Sequence, residues 1–134
     1  RNPSAVGQAR ALQSGDPVRG ILRVTRHPVM WGIALWAAVH LAARGDAASL
    51  VFFGSFLVLA LAGTKLIDAR KADALGEAWG RFAAATSNVP FTAIVEGRNR
   101  FSASEIGAKP VLVGLALYGI VVAVHPLLFG VRAY

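Results

Sequence analysis

The sequence predicts an all-α, polytopic integral membrane protein. We expect three transmembrane helices and an interfacial amphipathic helix within one membrane domain, residues 1–134. Of the 134 residues, 55% are hydrophobic and the mean hydropathy is +0.54, which is more apolar than a soluble domain of this size. Three apolar runs approach or reach the length of a bilayer crossing. Basic residues concentrate between these runs, as at the surfaces of membranes.

Charge and composition exclude several function classes. A net charge of +7 would suggest nucleic acid in a soluble chain, but its placement beside apolar runs favours lipid headgroups and no nucleic-acid partner. The chain has no cysteine, which excludes disulfides and thiolate metal sites. It has no phosphate-binding loop, GxSxG or HExxH motif. The opening residues do not resemble the start of a protein, and we expect preceding helices.

The first span is predicted over residues 27–43. Pro28 suits the first turn of a helix, where a missing N–H does no harm. Trp31 and Trp36 are suited to anchor this span, and residues 44–46 form a polar turn. The second span, residues 47–64, is uncharged, and its small residues offer surfaces for a neighbouring helix. These small residues are Gly54, Ser55, Ala60 and Gly63.

Residues 65–100 mix apolar and charged side chains, which predicts an amphipathic helix at the interface, ended near Pro90. Its charged side chains are expected to be solvated. The third span is predicted over residues 110–131, with Pro126 bending or ending it. The basic segments before the first span and after the second lie on one side, so the positive-inside rule makes the arginine-rich N-terminal loop cytoplasmic. The expected location is a bacterial inner membrane.

Two histidines fall inside predicted spans. His40 and His125 lie about 18 and 22 Å along parallel spans, at similar expected depth. An ionisable group inside a span is a functional candidate, and a neutral imidazole is a good axial ligand for haem iron. Gly32, Trp36 and His40 share a helical face with room for a flat group. The alternative is ordinary packing, with each histidine bonded to a neighbouring helix.

The sequence Arg26-His27-Pro28 stands at a helix start. Backbone donors, the helix dipole and Arg26 would favour an anion there. The alternative is a positively charged flank with a capping histidine.

Several motifs follow one another along the chain: Thr25-Arg26-His27-Pro28, Leu35-Trp36 with His40, Thr86-Ser87-Asn88-Val89-Pro90-Phe91, Ala93-Ile94, Glu96-Gly97-Arg98 and His125-Pro126-Leu127. Together they resemble the NnrU family and its relatives, the plastid 15-cis-ζ-carotene isomerases. The resemblance covers residues 20–129, through motifs in the same order. It implies a polytopic membrane protein linked to denitrification and to nitric oxide or nitrite reductase expression.

The isomerase resemblance implies haem b as cofactor, with His40 at a position implicated in iron ligation. Ala37 stands where those isomerases have a cysteine, so a thiolate role is absent here. His27 and His125 match motif positions without an assigned role. A more distant resemblance is to isoprenylcysteine carboxyl methyltransferases, which share Arg-His-Pro. It implies that Arg26 and His27 bind the carboxylate of S-adenosylmethionine, although Ile67-Asp68 replaces the twin glutamates of those enzymes.

The leading hypothesis is therefore an NnrU-like membrane protein of nitrogen-oxide metabolism that binds haem through His40. The alternatives are a haem-dependent carotenoid cis–trans isomerase, an S-adenosylmethionine-dependent methyltransferase and a non-catalytic assembly factor. The expected partners are the lipid bilayer, haem and an apolar ligand. The candidate cofactor-binding residues are His40, Arg26, His27, Trp36 and His125.

Overall fold

A computed structural model describes residues 2–13 and 16–130, and in these residues the regular secondary structure is entirely helical. The chain divides into two compact units, Arg1–Phe101 and Ser102–Tyr134, and each is described by itself. The predicted all-α class is confirmed for the described residues. The single membrane domain stays a prediction.

The first predicted span corresponds to helix α1, Pro28–Ala43. Two short 3₁₀ helices, Ala9–Gln13 and Gly20–Arg23, precede it. Pro28 takes the first helical position, as predicted, and His27 is the N-cap residue without a side-chain capping bond. With 16 residues, α1 is about 24 Å long, which is short for an unaided bilayer crossing.

The second span and the amphipathic segment form one long helix, α2, Ala47–Ala85. Asp46 caps its start: its carboxylate accepts the backbone N–H of Ser49 at 2.9 Å, and this bond, with a second from the Ser49 hydroxyl, lowers the pKa of Asp46 to about 2. Gly76 interrupts the helix with a left-handed φ of 50°, which glycine adopts readily. At about 58 Å without a bend, α2 extends well beyond the thickness of a hydrocarbon core.

Small side chains let α1 and the apolar part of α2 approach closely. Ala34 and Ala37 are the buried residues of α1, and Ala60 is almost fully buried on α2. A Cβ added at Gly63 would lie 2.5 Å from Met30 Cε. The predicted small-residue surface therefore exists at Ala60 and Gly63. It does not extend to Gly54, where an added Cβ would meet nothing within 4 Å.

The second half of α2 continues directly from the second predicted span, as expected, and its interfacial position stays a prediction. Two of its aromatic side chains, Trp79 and Phe82, are each only 2% exposed because they pack with Leu22. Burying aromatic rings against the N-terminal segment removes more apolar surface from water than leaving them at a wet boundary. Protein therefore covers the part of the helix around Trp79 and Phe82. The helix ends at Ala85, before the predicted stop near Pro90, and is followed by the short helix α3, Thr92–Val95.

The second unit contains the short helix α4, Ala103–Ile106, and helix α5, Ala108–Phe129. Pro126 lies inside α5 and ends it within four residues, in agreement with the prediction; Val131 lies outside the described residues. Among the described helices, α2 and α5 are long and apolar enough to cross a membrane. The crossing by α1, the first predicted span, stays a prediction.

Candidate functional site

Asp68 is the centre of a polar cluster at the start of α1, which we call the Asp68 cluster (Arg26, His27, Asp68 and Asn88). Arg26 donates through Nε to Oδ1 at 2.9 Å and through Nη2 to Oδ2 at 2.6 Å. His27 Nε2 lies 2.7 Å from Oδ1, and Asn88 Nδ2 donates to Oδ2 at 3.3 Å. A two-point arginine–carboxylate pair of this geometry is among the stronger polar contacts in proteins.

Three segments that are distant in sequence build this cluster. Residues 24–26 run beside residues 87–91: the backbone N–H of Arg26 donates to Ser87 O at 2.9 Å, and that of Phe91 to Val24 O at 2.8 Å. The Asn88 carbonyl accepts from the Thr25 hydroxyl at 2.6 Å and from the Trp31 indole at 2.8 Å. These bonds join the Thr-Arg-His-Pro and Thr-Ser-Asn-Val-Pro motifs into one structure.

The electrostatics of the cluster favour an ionised Asp68. Partial burial raises the pKa of this carboxyl group, but the hydrogen bonds from His27 and then Arg26 outweigh burial and hold the pKa well below its ordinary range. An ionised carboxylate only accepts hydrogen bonds, so His27 donates through Nε2. His27 is 2% exposed, which closes its ring to an external substrate. The cluster therefore connects helices rather than presenting an acid–base pair.

An anion was one of two alternatives for the start of α1, and the structure places the protein's own Asp68 carboxylate beside Arg26 and His27 there. The prediction that Asp68 is one of the solvated charges is wrong. Its position shows why: Ala60, Thr64 and Asp68 follow each other at intervals of four residues, so Asp68 continues the buried stripe of α2 toward α1. That spacing was visible in the sequence and was the signal we missed. Whether Arg26 or His27 also contacts a cofactor stays a prediction.

A second constellation lies at the opposite end of α1, about 20 Å from Arg26 along the helix. We call it the aromatic cluster (Trp36, His40, Phe53 and Phe56). The His40 ring stacks on Phe53 with centroids 4.6 Å apart, and Trp36 meets Phe53 edge-on at 5.2 Å and Phe56 at 5.6 Å. The sequence placed Trp36 and His40 together but gave no reason to choose Phe53, which follows from the pairing of α1 with α2.

The chemistry of His40 fits a haem ligand. Its Nδ1 lies 2.8 Å from the carbonyl oxygen of Trp36, and because a carbonyl only accepts, Nδ1 carries the proton. In the neutral ring the lone pair then resides on Nε2, the state in which imidazole ligates iron. The described residues contain no group of three or more histidine, aspartate or glutamate side chains that could hold a bare metal ion. Binding of haem does not require such a group.

Gly32 and Trp36 leave the outer side of this face open. A Cβ added at Gly32 would meet nothing within 4 Å, and Trp36 is 42% exposed. His125 belongs to the second unit, where its ring contacts Phe129 with centroids 4.8 Å apart. A shared depth of His40 and His125 stays a prediction.

Comparison with known proteins identifies relatives of this chain. A family model described as "NnrU protein" matches residues 3–133. A 15-cis-zeta-carotene isomerase, chloroplastic, from Zea mays is 33% identical over 81 residues, 60% of this chain and 22% of the relative. The enzyme of the same name from Arabidopsis thaliana is 35% identical over 79 residues, 59% of this chain and 22% of the relative.

The chain thus spans about a fifth of the length of these curated relatives. No solved structure matches it. The family match, by contrast, extends over nearly every described residue, including both clusters. This chain belongs to the NnrU family.

Proposed function

We propose that this chain forms part of a membrane-embedded isomerase that changes the configuration of a carbon–carbon double bond in a long conjugated polyene. The observation that carries the proposal is the similarity to two enzymes named 15-cis-zeta-carotene isomerase. The leading hypothesis from sequence alone was a role in nitrogen-oxide metabolism, and the named relatives favour the isomerase alternative over it.

The aromatic cluster supports this proposal because its chemistry suits a polyene. A conjugated chain is apolar and flat, and stacking on aromatic faces contributes affinity beyond simple burial. Trp36 and Phe56 present partly exposed ring surface around the face on which His40 stands. The open side of Gly32 extends this surface by about one helical turn. The aromatic cluster includes no aspartate, glutamate, lysine or arginine side chain. The cost of desolvation therefore opposes the binding of a hydrocarbon only weakly.

Haem b is the proposed cofactor, held through His40 Nε2. A bound haem would supply a redox-active iron centre that assists rotation about a double bond. The chain itself holds the imidazole in place: the Trp36 carbonyl fixes the proton on Nδ1, and Phe53 stacks on the ring. Ala37, which stands in place of a cysteine in the resembling isomerases, is fully buried between α1 and α2. The proposed reaction therefore uses no thiolate from this position.

The proposed setting is a lipid bilayer crossed by α1, by residues 47–64 of α2 and by α5. Residues 65–100 would form the protein layer at one surface, and the arginine-rich segment before α1 would be cytoplasmic. A bacterial inner membrane is the proposed location, whereas the named relatives are chloroplastic. The apolar surfaces of α2 and α5 support this placement, because large exposed apolar surfaces in water are rare.

The test uses the full protein in vesicles after expression with ample haem. We expect a Soret band and conversion of a cis-configured carotene, measured by absorbance and chromatography. His40→Ala should abolish both, whereas Val39→Ala, a neighbouring exposed residue on α1, should keep both. Conversion that survives His40→Ala would refute the role of His40, and absence of conversion by the haem-loaded wild-type protein would refute the isomerase.

A second candidate is a non-catalytic membrane factor of nitrogen-oxide metabolism. The observation in its favour is that Ala37 stands where the resembling isomerases have a cysteine. A Soret band without carotene conversion would favour it. Methyl transfer from S-adenosylmethionine is a weaker hypothesis, because Arg26 and His27 already bind Asp68. Arg26-dependent binding of labelled S-adenosylmethionine would support it.

A further inference from the structure

Phe91 combines an unusual backbone conformation with an exposed ring. Its φ is +67°, and within the described residues it is the non-glycine residue with a positive φ. A left-handed conformation costs a residue with a Cβ roughly 1–2 kcal/mol. Its side chain is nevertheless 52% exposed. Strain that presents an apolar ring outward does not stabilise a protein in water.

The backbone around Phe91 is held firmly. Its N–H donates to Val24 O at 2.8 Å, and its carbonyl accepts from Ile94 and Val95 at 3.0 Å, which starts α3. The hydroxyl of Ser87 accepts the N–H of Ala93 at 3.1 Å. Ala93 is fully buried, so a small residue fills the interior while Phe91 and Val95 point outward. Val95 is 84% exposed and Val89 55%.

The Asp68 cluster shows that the exposed side chains of Val89, Phe91 and Val95 lie near the end of both apolar helices. Asp68 lies four residues beyond Thr64, about 6 Å along α2 from its apolar part. Arg26, its ion-pair partner, lies two residues before Pro28, where α1 begins. The two helices therefore change from apolar to charged at the same level. The backbone N–H of Phe91 is hydrogen-bonded to Val24 O. Val24 itself is separated from Pro28 by at most about 14 Å of extended chain.

Charged residues follow the apolar side chains directly. Arg98 binds Glu96 at 2.6 Å and the carbonyls of Ala84 and Thr86, and Arg100 is exposed. Apolar side chains with adjacent arginines are typical of segments that insert into the headgroup region of a bilayer. An aromatic ring is well suited to that boundary.

We propose that Val89, Phe91 and Val95 form a membrane-interface anchor, whose partner is the lipid at the surface where α1 begins. This inference rests on the proposed bilayer setting. The anchor would fix the depth of the Asp68 cluster and, through α1, that of the aromatic cluster.

The absence of cysteine permits a direct test by nitroxide labelling of single cysteine variants of the full chain. The variants Phe91→Cys and Val95→Cys are compared with Ala74→Cys, an exposed position further from the apolar part of α2. In vesicles of phosphatidylcholine and phosphatidylglycerol, we expect labels at 91 and 95 to collide mainly with oxygen. The label at 74 should collide mainly with a water-soluble nickel chelate.

A Val58→Cys label separates the two ways of failing, because Val58 is exposed in the middle of the apolar part of α2. Oxygen access at 58 with nickel access at both 91 and 95 would overturn the anchor and leave the bilayer setting intact. Nickel access at 58 would overturn the setting itself. Protection of 91 and 95 from both reagents would show that protein covers this surface, and it would also overturn the anchor.

Discussion

Arg26 and Asp68, 42 residues apart, form a two-point ion pair that connects the start of α1 to α2 at the level where both helices become polar. Their side chains are only 13% and 20% exposed, so each charge depends on the other for its solvation. Removing one partner from such a pair leaves a poorly solvated charge, which destabilises a protein more than the pair stabilises it.

We therefore expect Asp68→Ala to lower the free energy of unfolding by about 3 kcal/mol, measured by denaturant unfolding in detergent micelles. Asp73→Ala is the matched control, because Asp73 is an exposed carboxylate on the same helix. Its effect should stay within about 0.5 kcal/mol. Equal effects of the two substitutions would contradict the central role of Asp68.

The lowered pKa of Asp68 also predicts a dependence of stability on pH. The folded pKa lies below the ordinary value of 3.8, so the unfolded chain takes up a proton first as the pH falls. The contribution of Asp68 is thus complete above about pH 5 and decreases below about pH 4, by roughly 1 kcal/mol per pH unit.

Thermal unfolding of wild type and Asp68→Asn between pH 3 and 6 measures this effect. The difference in melting temperature should be constant near pH 6 and shrink toward pH 3, because the substituted amide does not titrate. A difference that stays constant over the whole range would show that the carboxylate is not stabilised by its hydrogen bonds.

The left-handed backbone at Phe91 predicts that two truncations of its side chain differ in stability. Phe91→Gly should be more stable than Phe91→Ala by about 1 kcal/mol in detergent, because both remove the ring but glycine alone relieves the strain. Chemical unfolding of the two variants measures the difference. Ala93→Gly, at a buried helical position, serves as the control and should be destabilising. A Phe91→Ala variant as stable as Phe91→Gly would argue against the left-handed conformation.

Two glycines on facing helices predict a difference in tolerance to a methyl group. Gly32→Ala should raise stability by up to about 1 kcal/mol, since its Cβ meets open space. Gly63→Ala should gain less or lose stability, because its Cβ would displace Met30. Thermal unfolding of both variants provides the comparison. If Gly63→Ala were the more stabilising substitution, α1 and α2 would not pack as described.

Much of the architecture was predictable because its causes are local. Apolar runs marked α1, the first part of α2 and α5, and Pro28 marked the start of α1 within one residue. The small residues Ala60 and Gly63 indicated where a neighbouring helix approaches. These features depend on hydrophobicity, capping and side-chain volume, which neighbouring residues decide among themselves.

The sequence predicted only some of the residues of the two candidate sites. The sequence indicated Arg26, His27, Trp36 and His40, but Asp68 was assigned to a solvated face and Phe53 was not selected. Both missing partners lie on α2, and their role depends on how that helix is rotated and shifted against α1. The fate of Trp79 and Phe82 depended in the same way on the N-terminal segment that covers them.

By itself the sequence determined that the described chain is helical, where its apolar segments begin and end, and that a charged motif stands at the start of α1. The tertiary structure alone decided which carboxylate neutralises Arg26, which ring stacks on His40 and why Phe91 faces outward. The physical reason is range: helix formation and apolar patterning act over a few residues, whereas these contacts join segments 13 to 67 residues apart. They form only when helix packing offsets the entropy of closing the intervening chain.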